Sequence, residues 1–153
     1  MWTRWNTHRK VSADPADVID VLTCVDAIQC WSPVDFELDD LDERRLYSGT
    51  RARVVGCLAG FGVGFDVEVL EASCDRLALV ARGPVELDVQ YQVESADAGA
   101  SVEAEVSVRS TGGIGGRLVA RAVNTLLAAG VLDRALSRIG AEAESADELA
   151  LAA

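Results

Sequence analysis

The sequence predicts an α+β fold in one domain: a curved antiparallel sheet of about seven strands wrapped around a long C-terminal helix, in the order β-α-α-β6-α. Three observations predict it. Apolar residues recur with period two over most of residues 34–110, the segment 115–139 switches to helical spacing, and Asp14-Pro15 and Ser32-Pro33 bracket two short helices near the N-terminus. A chain of 153 residues suits one core of ordinary size, with residues 1–140 as the domain and 141–153 as an acidic tail expected to be flexible.

Residues 2–11 read as the first strand. A helix starts at Asp14-Pro15, because the Asp14 carboxylate can accept a hydrogen bond from a free first-turn amide and Pro15 suits the first helical position. Val18, Val21 and Leu22 follow at helical spacing. A second short helix spans Val25 to Trp31, since Ser32 is pushed toward extended geometry by Pro33.

From residue 34 the period is two, weakly at Val34, Phe36 and Leu38, then strongly from Gly49 to Gly60, where Ala52, Val54, Gly56 and Leu58 oppose Arg51 and Arg53. Phe65, Val67 and Val69 alternate with Asp66, Glu68 and Leu70, and Leu77, Leu79 and Ala81 with Ala78, Val80 and Arg82. Val85, Leu87, Val89, Tyr91 and Val93 alternate with Glu86, Asp88, Gln90 and Gln92, and Val102, Ala104, Val106 and Val108 with Glu103, Glu105, Ser107 and Arg109. One dry face and one wet face mark an antiparallel sheet covered on a single side. Turn chemistry separates the runs at Ala59-Gly60-Phe61-Gly62, Cys74-Asp75, Gly83-Pro84 and Ala98-Gly99.

Gly115 to Ile139 supplies the cover. Leu118, Ala122, Thr125, Ala129, Leu132, Leu136 and Ile139 recur at steps of 4, 3, 4, 3, 4 and 3, with Arg117, Arg121, Asn124, Arg134 and Arg138 elsewhere around the wheel. The pattern predicts one amphipathic helix of about six or seven turns. Two alanines and a threonine make poor knobs for a coiled coil, so packing on the chain's own sheet accounts for the stripe better, with a homodimer left open. From Glu142 onward the end is expected to fray.

Half of the residues are hydrophobic and a quarter charged, a balance that supports a packed interior. The net charge of −11 removes the attraction behind non-specific nucleic-acid binding and disfavours stable association with anionic membranes. Small molecules or proteins are therefore the expected partners. Cys24, Cys30, Cys57 and Cys74 form no CxxC pair and His8 is the single histidine, so neither a metal site nor a cofactor is expected. The N-terminus MWTRWNTHRKV lacks the apolar run of a signal peptide, and no window approaches the roughly 20 apolar residues of a membrane span. A cytoplasmic protein with reduced thiols is expected.

Small side chains at Ala122, Thr125 and Ala129 on the helix and at Ala52, Gly56, Ala81 and Ala104 on the strands, with aromatic residues at only 5%, leave two readings. Either the interior is apolar and underfilled, which makes a ligand pocket, or helix and sheet simply approach more closely.

The segments VSADPADVIDVL, IQCWSP, GTRARVVGCLAG and GGIGGRLVARAVNTLLAAGVLDRAL, in this order of elements, resemble the START/SRPBCC superfamily, which includes bacterial polyketide cyclase/dehydrase-like proteins. The resemblance covers residues 1–140, and the use of 13 arginines against one lysine fits a bacterial origin. It implies a helix-grip fold with a cavity between sheet and C-terminal helix that binds a hydrophobic or aromatic small molecule, lipid-like or polyketide-like. It also admits a polyketide cyclase or dehydratase acting on a poly-carbonyl substrate in that cavity. A third class, a protein-interaction module, requires a filled core and an exposed apolar patch.

The candidate cavity residues are Trp31, Val54, Leu58, Phe65, Val67, Leu79, Leu87, Val89, Tyr91 and Val106, with Leu118, Ala122, Thr125 and Ala129 from the helix. Tyr91 and Thr125 are the candidate polar anchors or catalytic groups, because a phenol can orient a carbonyl or donate a proton to an enolate. Each also has a plain structural reading, a Tyr91 hydroxyl bonded to a backbone carbonyl and a Thr125 hydroxyl bonded to the carbonyl one turn back. Trp31 suits either the pocket mouth or a plug holding the helix pair to the sheet. His8, beside Arg9 and Lys10, lacks a partner to hold its tautomer, and the Gly112 to Gly116 run has no GK[ST] and reads as a connection. Arg51, Arg53 and Arg109 are expected to meet Glu68, Glu86, Asp88, Glu103 and Glu105 on the wet face and to serve solubility.

Overall fold

The computed structural model describes residues 2–32, 36–39, 44–58, 61–110 and 113–152. The strands are β1 (Trp2–Val11), β2 (Phe36–Asp39), β3 (Arg51–Leu58), β4 (Phe61–Ala72), β5 (Arg76–Arg82), β6 (Val85–Ala96) and β7 (Gly99–Ser110). The helices are α1 (Pro15–Thr23) and α2 (Val25–Trp31) after β1, then α3 (Gly113–Ala128) and α4 (Val131–Ala152) after β7. Val34 and the Ala59-Gly60 part of a predicted turn lie outside the described residues. Phe61-Gly62, expected in that turn, opens β4 instead.

All seven strands form one antiparallel sheet in the order β1-β7-β6-β5-β4-β3-β2. The chain starts at one edge, crosses to the other through α1 and α2, and returns strand by strand until β7 pairs with β1 from Trp2↔Arg109 to Val11↔Ala100. The register between β4 and β5 shifts between Val69 and Glu71, a bulge that leaves the exposed Leu70 without a partner on β5. The period-two pattern sets the inner face: Val85, Tyr91 and Val93 of β6 and Val102, Ala104, Val106 and Val108 of β7 are all buried.

The outer face is less uniformly wet than the alternation suggests. Ala78 and Val80 of central β5 are buried there, flanked in register by Glu71 and Gln90 and by Glu68 and Asp88. Ion pairs cross this surface, Arg53 to Asp66 at 3.0 Å, Arg82 to Glu68 at 3.4 Å, Arg51 to Glu68 at 4.0 Å and Arg4 to Glu105 at 3.1 Å. Arg82 and Arg4 take roles that the sequence pattern assigns to other arginines.

At the start of α1 the cap differs from expectation. Asp14 is extended, but its side chain makes no capping bond; its backbone carbonyl accepts from the Asp17 and Val18 amides at 3.0 and 3.2 Å. Cys24 breaks the helix pair in extended geometry and bridges to Arg45, while the Val25 amide donates to the Arg44 carbonyl and the Leu46 amide to the Thr23 carbonyl.

The largest departure is at the C-terminus. Residues 115–139 do not form one helix: Gly130, at φ +91°, ends α3 and starts α4. The inward face of α3 is Gly116, Ala120 and Val123, with Leu127 packed beside them, whereas Leu118, Thr125 and Ala129 are exposed and Ala122 is only half-buried. The stripe holds for α4, where Leu132, Leu136 and Ile139 are buried together with Ala135 and Ala143. α4 lies against β1, with Thr7 hydrogen-bonded to Asp133 and the Ser12 amide donating to Glu144 at 3.1 Å. α4 runs on to Ala152, so the acidic residues from Glu142 onward are part of this helix.

Candidate functional site

A cavity of about 300 Å³ lies between the inner sheet face and the α3–α4 elbow. β3 contributes Val54 and Gly56, β4 Val63 and Phe65, β6 Leu87, Val89 and Tyr91, and β7 Val106. The helical side consists of Trp31 and Ser32 at the end of α2, Val123, Leu126 and Leu127 of α3, and Val131, Leu132 and Ala135 of α4. Where β6 runs past it, Leu87 and Val89 stay half-buried although they are on the dry face, because protein atoms do not fill the space before them. Gly56 and Ala135 present little bulk to this space.

The polar content of this wall is small. Trp31 is buried, its indole N–H donates to the Val21 carbonyl at 3.0 Å, and its ring meets Tyr91 edge-on, with centroids 6.0 Å apart and planes at 74°. It thus lines the cavity and also ties α2 to α1. Tyr91 is buried, and among the described residues its hydroxyl has no hydrogen-bond partner, so the backbone bond considered from sequence is not made. Burial without a compensating charge or hydrogen bond raises its pKa well above the ordinary phenol value of 10.0 and keeps it neutral.

Of the candidate residues, Trp31, Val54, Phe65, Leu87, Val89, Tyr91 and Val106 line this cavity. Leu58 lies on β3, but its side chain is outside the described residues. Val67 and Leu79 are half-buried and pack against the core without reaching the cavity. Leu118, Ala122, Thr125 and Ala129 do not line it, because the phase of α3 turns them elsewhere. The Thr125 hydroxyl donates to the Arg121 carbonyl at 2.8 Å, the structural reading of a mid-helix threonine. Val63, Val123, Leu126, Leu127, Val131 and Ala135 escape the sequence pattern; Val63 is recoverable from it, being in phase with Phe65 on one strand face.

His8 is exposed on β1, in register with Glu103, and is remote from the cavity wall. Cys24, Cys30, Cys57 and Cys74 are free thiols, and among the described residues no His, Cys, Asp and Glu cluster could hold a metal. Among those residues, too, no helix is long and apolar enough to cross a membrane.

No protein-family model matches the chain, and no curated protein matches it. Solved structures do. Protein CV1439 from Chromobacterium violaceum superposes with a TM-score of 0.69 at 16% identity, over 92% of this chain and 96% of that one. TTHA0849 from Thermus thermophilus gives 0.69 at 17% identity, over 94% and 99%. Ara h 8.0201 gives 0.55 at 13% identity, over 90% and 99%. Near-complete mutual coverage at such low identity is a likeness of fold, and the fold of this chain is the helix-grip fold.

Proposed function

We propose that this protein is a START/SRPBCC-like carrier or receptor that binds a hydrophobic or aromatic small molecule in the cavity between the sheet and the C-terminal helices. The observation that carries the reading is the cavity itself: an apolar space of about 300 Å³ that the protein's own side chains leave empty. A space of about 150 Å³ lined by such groups accommodates benzene, so roughly two fused rings or a chain of similar bulk is the expected size of guest. The natural setting we propose is the cytoplasm, where the four free cysteines stay reduced.

Binding is preferred to catalysis because the described wall contains no carboxylate, imidazole, amine or thiol. The cyclase reading keeps one point in its favour, the Tyr91 hydroxyl, which has no hydrogen-bond partner among the described residues and can orient a carbonyl of a poly-carbonyl chain while the walls restrict its conformers. Occupancy is tested by uptake of an apolar fluorescent probe such as an anilinonaphthalene. Val123→Trp places bulk in the cavity and is expected to abolish uptake, while Ala129→Trp, on the exposed side of the elbow, leaves it unchanged. Equal uptake by wild type and Val123→Trp would remove this site from consideration.

A further inference from the structure

We propose that the outward face of α3 docks reversibly on an anionic lipid surface. The helix is apolar on two sides. Its inner side, Gly116, Ala120 and Val123, is buried against the sheet, yet Ile114 is 80% and Leu118 55% exposed on the opposite side. At the helical 100° per residue, Ile114, Leu118, Arg121 and Thr125 fall within an arc of about 60°, with Arg117 on its flank. The apolar period that the sequence shows in this segment is therefore real, and it points away from the core.

The charge on this face runs against that of the rest of the molecule. The chain carries −11, but α3 contains no Asp or Glu, and among the described residues Arg117 and Arg121 have no ion-pair partner, whereas Arg4, Arg51, Arg53 and Arg82 of the sheet are all paired. Beside them a shallow groove between α3 and β1 holds Trp5, whose indole N–H donates to Asn124 Oδ1 at 3.0 Å. Exposed aliphatic side chains flanked by guanidinium groups, with an indole alongside, suit the boundary between headgroups and acyl chains: the arginines meet phosphodiester oxygens while Ile114 and Leu118 enter the apolar layer.

A second copy fits less well, since an antiparallel pairing of α3 with itself sets unpaired arginines against unpaired arginines. Two large apolar side chains on one convex helix are also a small patch for a protein partner, which needs about 800 Å² on each side. The docking face is independent of cavity occupancy, because the cavity residues Val123, Leu126 and Leu127 occupy the other side of the helix.

The test is flotation of the intact chain with vesicles of phosphatidylglycerol and phosphatidylcholine, against vesicles of phosphatidylcholine alone. The chain is expected to float with the anionic vesicles only and to be released by about 0.5 M salt. Arg117→Gln with Arg121→Gln, and separately Ile114→Ser with Leu118→Ser, should each weaken partitioning at least about tenfold with circular dichroism unchanged. Equal partitioning to both vesicle types, or binding unaffected by either pair of substitutions, overturns the proposal. So does a stable dimer that Ile114→Ser with Leu118→Ser dissociates, which would assign the face to a second copy.

Discussion

Tyr91 is the residue on which the chemistry of the cavity turns. It packs edge-on against Trp31, and its hydroxyl has no partner among the described residues, so that group is available to a guest. A hydrogen bond of this kind contributes about 1 kcal/mol net, which sets the expected size of effect. Tyr91→Phe should weaken binding of a ketone-bearing naphthalene by about three- to tenfold and leave naphthalene itself unaffected, with fold stability within about 1 kcal/mol of wild type. Equal affinity for the ketone in both proteins would remove the phenol as an anchor, and catalysis through it as well. The pH dependence follows from the same burial. The folded state holds the phenol proton above the ordinary value of 10.0, so as pH rises the unfolded chain ionises first. Stability due to Tyr91 is intact below about pH 9 and falls above about pH 10, by at most about 1.4 kcal/mol per pH unit. Denaturant unfolding of wild type and Tyr91→Phe across this range should show the wild type losing stability relative to the variant only above about pH 10.

Among the elements, the strands are legible in the sequence because side chains alternate between the two faces of a sheet, and the end of α2 at Trp31 follows from the proline after Ser32. The phase of α3 is not. Leu132, Leu136 and Ile139 give the right face of α4, but carrying that wheel back through Ala129-Gly130 assumes unbroken helix where Gly130 takes φ +91°. The inward residues Gly116, Ala120 and Val123 lie two positions before the predicted Leu118, Ala122 and Thr125, a rotation of about 200°. The same slip hides Val123, Leu126 and Leu127 from the candidate site, although a glycine after an apolar run is an ordinary helix stop. Two glycines then separate backbone strain from steric fit. A Cβ at Gly130 meets nothing within 4 Å, so Gly130→Ala should cost only the left-handed backbone penalty of about 1–2 kcal/mol. At Gly99, with φ +147°, a Cβ would press on the Val11 carbonyl and lie 2.8 Å from the Ala13 amide nitrogen, where the β6–β7 turn abuts the end of β1. Gly99→Ala should therefore cost more than about 3 kcal/mol by urea denaturation, and a cost no greater than that of Gly130→Ala would contradict this packing.

For the molecule as a whole, the cavity joins parts of the chain that are otherwise far apart: β3 and β4 toward one sheet edge, β6 and β7 toward the other, the end of α2, and both C-terminal helices. Side chains facing an empty space lack the dispersion contacts that a packed core supplies, and an apolar guest provides those contacts only when every one of these elements is in place. Binding is therefore linked to global folding and should stabilise the whole domain. At a free concentration about 100 times its Kd, a guest that binds only the folded state adds about 2.7 kcal/mol. In a chain of this length that corresponds to a rise in Tm of about 5–10 °C. The rise should grow logarithmically with concentration, be absent in Val123→Trp and persist in Ala129→Trp. An apolar compound that fluoresces with the protein yet leaves Tm unchanged at saturation would be binding outside the cavity, and the exposed Ile114 and Leu118 of α3 would be the place to look for it.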